Sequence, residues 1–212
     1  SVFAVPYFFK TGGNPNMVTY GPSPHEAFYL AGALAALMSK SKKIGSIGGF
    51  PIPQQNAEHN AYKLGARAVV PNIKVATVFI SSWSDVFKGK EAALAMMDQG
   101  VDVVVGTGSP MLFGAIKAAE ERGVYAMGDF LDVNKSAPDT VITSVVYGWH
   151  APLKQIVLGI KKGKVKQVNL LGLRDGGATL APFNRKVPPK VAQKVRGLEK
   201  DIRAGKIKVP WL

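Results

Sequence analysis

Apolar positions along the chain fall into short Val/Ile-rich runs separated by longer amphipathic stretches. Lys43-Ile-Gly-Ser-Ile-Gly-Gly, Lys74-Val-Ala-Thr-Val-Phe-Ile, Val101-Asp-Val-Val-Val-Gly, Val124-Tyr-Ala-Met-Gly and Val141-Ile-Thr-Ser-Val-Val read as strands, starting near positions 44, 74, 101, 124 and 141. Between them, Gln54 to Ala68, Val86 to Gln99 and Pro110 to Arg122 carry apolar residues at helical spacing. Pro51 and Pro53 stand where a helix start tolerates them. Strands spaced to leave room for one helix each predict βαβ units and a parallel sheet. Continuous rather than alternating apolar runs predict that both sheet faces are covered.

The flanks differ from this repeat. A short strand around Asn16-Met-Val-Thr-Tyr precedes a helix from His25 to Ser39 that is dense in Ala and Leu. After the repeat come a helix over 149–162 and two strands, Val165 to Leu173 and Ala178 to Phe183, which read as a hairpin around Gly176-Gly177. A last amphipathic helix runs from Pro188 to Ala204, and Ile207-Lys-Val-Pro closes the chain. These flanks cannot close a second core alone, so a second lobe is implied that is mostly missing. Ser1 enters directly into an apolar stretch without Met or a cationic leader, which suggests processing or a piece of something longer.

Composition narrows the chemistry. The 212 residues are 47% hydrophobic and 19% charged, which excludes disorder, and no apolar run is long enough to span a bilayer. Without Cys, disulfide scaffolds, thiolate zinc sites and cysteine nucleophiles are excluded, and His25, His59 and His150 are scattered. Of the net charge of +13, the segment from Lys161 onward carries +11. Such a tail suits nucleic acid or anionic lipid, but it reads first as a solvated surface, because aromatics are too sparse there to serve as base-stacking platforms.

In open α/β sheets ligands bind outside the carboxyl ends of the strands. Phe50 follows the first strand here, Trp83 and Asp85 the second, Thr107 and Ser109 the third, Asp129 and Asp132 the fourth, and Tyr147, Trp149 and His150 the fifth. Hydroxyls, carboxylates and flat aromatic faces suit a planar polar ligand. Asp85 reads as a helix cap, Asp129 and Asp132 are open to reading as a cap and a turn residue, and His59 and His150 read as surface or cleft-edge residues. No Gly-x-Gly-x-x-Gly, Walker lysine, ordered Ser/His/Asp set or carboxylate cluster is legible, so neither a catalytic residue nor a cofactor or metal is predicted.

Ala27-Phe-Tyr-Leu-Ala-Gly-Ala-Leu-Ala-Ala-Leu-Met-Ser-Lys, followed by Lys43-Ile-Gly-Ser-Ile-Gly-Gly-Phe-Pro-Ile-Pro, resembles the basic membrane protein family. The likeness continues through Asn60-Ala-Tyr-Lys-Leu-Gly-Ala, Ser82-Trp-Ser-Asp, Met127-Gly-Asp-Phe-Leu-Asp and Gly205-Lys-Ile-Lys-Val-Pro. These are substrate-binding lipoproteins of ABC importers, purine nucleoside receptors among them. The resemblance implies a type I periplasmic-binding-protein fold: two α/β lobes with parallel sheets flanked by helices, here with the first lobe incomplete. It divides the chain into 1–40 (first-lobe remnant), 41–143 (second lobe) and 144–212 (hinge crossing, return to the first lobe and C-terminal helix). The family's opening section, which brings an acidic residue and an aromatic to the base, has no counterpart in this chain.

By the same resemblance the protein binds a purine nucleoside or base without chemistry and partners an ABC permease. It would sit in the periplasm or at the cell surface, held to the membrane only by a lipid anchor outside this chain, and it would not bind nucleic acid. Asp129 matches the family's acidic residue, expected to accept ribose hydroxyls. Thr107 and Ser109 fall in a ligand-lining loop, and Trp83 in the loop after the second strand. Where nucleoside receptors often carry Lys after Thr-Ser-x-x, this chain has Tyr147 and then Trp149, which leaves a free base or another small heteroaromatic open. A sugar ligand of the same fold, a nucleoside-processing α/β enzyme and a basic nucleic-acid binder are the rival readings.

Overall fold

A computed structural model describes residues 2–6 and 14–211. The strands are β1 (Phe3–Pro6), β2 (Met17–Pro22), β3 (Lys43–Gly48), β4 (Lys74–Phe79), β5 (Val103–Thr107), β6 (Tyr125–Phe130), β7 (Val141–Tyr147), β8 (Val168–Leu171) and β9 (Ala178–Leu180). The helices are α1 (His25–Met38), α2 (Pro53–Val69), α3 (Val86–Asp98), α4 (Met111–Arg122), α5 (His150–Lys161) and α6 (Pro189–Arg203). β4-β3-β5-β6-β7-β9 form a six-stranded sheet, parallel except for β9, and β1-β2-β8 form a second, parallel sheet. The α/β reading and its parallel sheets therefore stand, with strand boundaries shifted by one to three residues.

Helices cover both faces of the larger sheet. One apolar layer joins α1, α2 and α6 to the sheet, and a second joins α3 and α4 to the other face. β3 and β5 are buried almost throughout, as their unbroken apolar runs require. β4 is the edge strand and stays half exposed, so its equally apolar sequence does not mark two covered faces.

Two sequence readings are corrected. His25–Met38 is read above as part of a first-lobe remnant, but α1 packs against α2, α6, β7 and β9 of the larger unit. Ten consecutive residues of α1, Ala27 to Ala36, are buried; a helix apolar all round belongs inside a core. The strands around Gly176-Gly177 are no hairpin: β8 pairs with β2 in the small sheet, while β9 pairs antiparallel with β7 in the large one.

The chain passes between the two sheets at Pro22–His25, Tyr147–His150 and Leu171–Ala178. The passages are tied together, since Ser23 N donates to Leu171 O at 2.7 Å and Gly148 N donates to Gly177 O at 2.8 Å. α5 packs against β2 and β8.

Glycine permits the close crossing of α1 and α2. A Cβ on Gly32 would strike the Tyr62 carbonyl oxygen, and one on Gly65 the Tyr29 carbonyl oxygen. Because the obstacle is backbone, no rotamer change relieves it. Gly65→Ala is therefore expected to lower the unfolding free energy by about 1–3 kcal/mol. Gly197→Ala, in an exposed α6 position with nothing near the added carbon, should raise it by about 0.5–1 kcal/mol. Urea denaturation reads both, and equal stability of parent and Gly65→Ala would refute the close crossing.

Candidate functional site

A cavity of about 340 Å3 opens at the carboxyl ends of β5, β6 and β7, beside the first turn of α2. Gln54 and Gln55 reach it from α2, with Ile52 just before the helix. Trp83 comes from the loop after β4, and Gly108 and Ser109 from the loop after β5. Asp129 and Phe130 close β6, and Tyr147 closes β7. The volume lies at the small end of the range for small-molecule sites.

The loop after β5 is shaped around Gly108, whose φ of 115° is reserved for glycine and whose α-carbon faces the Trp83 ring. Its N–H donates to Asp129 Oδ2 at 3.1 Å. At the end of β6 the chain turns sharply: Leu131 N donates to Asp129 O at 2.8 Å across Phe130, which is held at φ 73°. This is a γ-turn with positive central φ, a strained conformation of the kind that gathers at binding sites. It swings the Phe130 ring against Tyr147, with ring centroids 4.9 Å apart.

Asp129 is buried, and its Oδ1 has no hydrogen-bond partner among the described residues. Burial pushes its pKa up to about 7, against the Gly108 and Phe130 amides and the Tyr147 hydroxyl, which favour the charged form. Behind it lies a second acid. Glu58 is fully buried and accepts from Gln54 Nε2 at 2.8 Å, Gln55 Nε2 at 2.6 Å and Tyr147 Oη at 3.0 Å. Burial, and next the charge of Asp129, raise its pKa well above the usual carboxylate range.

The Gln55 amide is held from its other end by the Thr107 hydroxyl, which lies in reach of Gln55 Oε1 and of Ile47 O. Because that single proton goes to a carbonyl oxygen, His59 Nε2, 3.2 Å from Thr107 Oγ1, is the donor between them. His59 is buried, and burial lowers its pKa to about 4, so it is a neutral imidazole at neutral pH.

Of the residues singled out from sequence, Trp83, Ser109, Asp129 and Tyr147 meet in the cavity wall. Thr107 lies one layer beneath, fully buried and holding Gln55. Phe50 does not line the cavity; its ring lies 5.4 Å from that of Trp83, which does. Asp132 is exposed and accepts from Asn134 N at 3.0 Å in a local turn, and it does not line the cavity. Trp149 does not line the cavity; it stands edge-on to Tyr20 and beside Phe130. His59 is core rather than surface, and a carboxylate pair exists where none is legible in sequence. Asp85 caps α3 as expected, accepting from Lys88 N at 2.9 Å. Gln54, Gln55, Glu58 and Phe130 are the site residues that strand-end reasoning misses.

Among the described residues no group of three His, Cys, Asp or Glu is placed to hold a metal ion, and no helix is long and apolar enough to cross a membrane.

The acid pair sets a pH dependence. A carboxyl with a raised native pKa stabilises the fold fully below its unfolded value of about 3.9, and that contribution is lost as pH rises through the native value. Asp129→Asn keeps an acceptor for the Gly108 amide but cannot ionise. The stability of the parent relative to Asp129→Asn is therefore expected to fall between pH 5 and pH 8. Urea midpoints at four pH values read the trend, and a pH-independent difference contradicts the raised pKa. His59 acts in the opposite sense in both proteins and cancels in the comparison.

Comparison with known proteins agrees with this architecture. The chain is 34% identical over 200 residues to a purine-binding protein of Brucella abortus, covering 94% of this chain and 56% of that protein. It is 28% identical over 202 residues to basic membrane protein A of Borreliella afzelii, covering 92% and 62%. The chain thus spans little more than half the length of these relatives. In fold it resembles an ABC transporter solute-binding protein of Aeropyrum pernix, with a TM-score of 0.85, 20% identity and coverage of 99% of this chain and 71% of that one. Residues 10–211 match the family model described as ABC transporter substrate-binding protein PnrA-like, and the chain belongs to that family.

Proposed function

We propose that this chain contributes one wall of a receptor site for a purine base or nucleoside, in a solute-binding protein that delivers its ligand to an ABC permease. The observation that carries this reading is Asp129 Oδ1, a buried oxygen without a hydrogen-bond partner among the described residues, in the wall of a cavity flanked by Trp83 and Phe130. A buried acceptor left unpaired costs free energy that a ligand N–H or O–H recovers on binding. The indole of Trp83 and the ring of Phe130 are each more than a third exposed, which leaves aromatic faces for a flat ring system. The name of the Brucella relative supports a purine over other planar ligands.

Among the described residues the wall holds two hydroxyls, Ser109 with no base bonded to it and Tyr147 donating to Glu58, and no lysine; this supports a reading of binding and release rather than turnover. Recognition outside the cytoplasm, with any membrane attachment supplied by a lipid anchor, follows from the family and forms part of the proposal. The basic C-terminal segment is then solvated surface.

Native mass spectrometry of the purified 212-residue chain tests for retained ligand, and titration calorimetry with adenine, hypoxanthine and guanosine tests affinity. Asp129→Ala and Trp83→Ala are each expected to weaken purine binding by about 1–3 kcal/mol, roughly 5- to 150-fold. Unchanged affinity in both variants overturns the site. Binding of D-glucose in preference to every purine overturns the ligand class.

A further inference from the structure

β4 ends the larger sheet with one side open. It pairs with β3 in parallel, in an unbroken register from Lys43↔Lys74 to Gly48↔Phe79, and no described strand pairs with its other side. Lys74 N donates to Lys42 O at 2.9 Å, and Ile80 N donates to Gly48 O at 3.0 Å. Backbone groups alternate in direction along a strand, so the N–H and C=O groups of Val75, Thr77 and Phe79 point away from β3. Natural edges are usually blunted by a bulge, a proline, a charge or a covering element. β4 carries only Lys74, at its first residue.

A groove flanks this edge on each face of the sheet. Toward α2, a cavity of about 240 Å3 lies between Asn56, His59 and Lys63 of α2 and Val75, Thr77 and Phe79 of β4. The spacing is that of one helix face against one strand face. Toward α3, at the amino ends of β3 and β4, a cavity of about 280 Å3 is lined by Lys43, Lys74, Ala76 and Gln99. Neither shares a lining residue with the cavity at Asp129. A strand added to β4 sends alternate side chains to the two faces, so each groove has an occupant in the same extended segment.

Charge selects the occupant. α2 runs back against β4, with the His59 ring 5.0 Å from that of Phe79, so Lys63, one turn on, lies toward the amino end of β4. Lys43 and Lys74 begin their strands at that end, and the Lys43 ammonium donates to Gln99 O at 2.7 Å. Among the described residues no carboxylate lines either groove, and none pairs with Lys43, Lys63 or Lys74. We propose that the open edge of β4 receives an extended acidic segment of a partner protein as an added strand, its carboxylates lying where Lys43, Lys63 and Lys74 gather. A second copy of this chain brings a net charge of +13 and the same lysines, so charge disfavours self-pairing. The inference does not depend on the purine reading.

The probe is a short peptide of alternating Glu and Val with acetylated and amidated ends, and fluorescence anisotropy reads its binding to the 212-residue chain. Lys63→Glu and Lys74→Glu are each expected to weaken binding by about tenfold, and a peptide of alternating Lys and Val should not bind. Thr77→Pro removes an outward N–H and leaves the amides that bond β3 in place, a substitution that an edge strand tolerates. It should abolish peptide binding with an unchanged circular dichroism spectrum. Equal binding of the two peptides, or no binding of the Glu–Val peptide at millimolar concentration, overturns the proposal.

Amide hydrogen exchange followed by NMR supplies a readout on the parent chain itself. Without peptide, the amides of Ala76 and Val78 should be protected and those of Val75, Thr77 and Phe79 open to solvent. The Glu–Val peptide should protect the second set. Binding without that protection puts the peptide elsewhere and refutes strand addition. Sedimentation of the chain alone tests the other occupant. A monomer is expected, whereas a dimer that Thr77→Pro dissociates assigns the edge to a second copy and overturns the acidic segment.

Discussion

Burying a carboxylate beneath the carboxyl edge of a parallel sheet costs several kcal/mol unless hydrogen-bond donors surround it. Glu58 meets that requirement with donors from its own helix and from β7: Gln54, Gln55 and Tyr147. Through Gln55 the arrangement extends to Thr107 on β5, and through Tyr147 to the end of β7. One buried carboxyl thus fixes the position of α2 relative to the strand ends that carry the site. A small shift of α2 would break several of these bonds together, which is how a buried polar network specifies one arrangement.

The position of α2 is in turn set by α1. The two helices approach until Gly32 faces the Tyr62 carbonyl and Gly65 the Tyr29 carbonyl. A wider crossing would carry the first turn of α2 away from β7. The same device recurs on the other sheet face, where Gly89 meets the Met111 carbonyl and Gly114 the Val86 carbonyl. Each helix pair therefore packs at the closest distance a backbone allows, and the cavity lies beyond the strand ends between these two rigid layers.

This hierarchy explains what the sequence makes legible. Unbroken Val/Ile runs announce buried parallel strands, and strand ends announce Trp83, Ser109, Asp129 and Tyr147. Strand-end counting gives no facing direction, so Thr107 turns toward α2 and Gln55 rather than into the cavity. Nor does it foresee the γ-turn at Phe130, which points Asp129 inward and leaves Asp132, three residues on, in solvent. Glu58 is illegible for a different reason. It sits in Gln54-Gln-Asn-Ala-Glu-His-Asn, a stretch that reads as a solvated helix face, and only the long-range glycine crossing makes that face interior. α1 carries a usable signal, because ten successive residues without a polar stripe leave no side for water.

The charge distribution bears on the kind of ligand such a wall suits. Most of the +13 excess lies from Lys161 onward, at the end of α5, on α6 and in the segments around them, while no lysine or arginine lines the cavity among the described residues. Solvent-exposed charges beyond about 8–10 Å are screened at physiological ionic strength, whereas two buried acids in a low dielectric are not. The ionisable groups at the cavity are therefore acids, Asp129 in its wall and Glu58 behind it, against the sign of the whole chain. A phosphate would meet one or two carboxyls with no cation to offset them, and its charge would be desolvated without compensation. A neutral ring with N–H or O–H groups at its edge meets an acceptor that lacks a partner and aromatic faces beside it. On the proposed reading, the residues of this wall that would receive a base or nucleoside would disfavour a nucleotide, so this wall's share of any discrimination by charge lies in its interior and not on the surface.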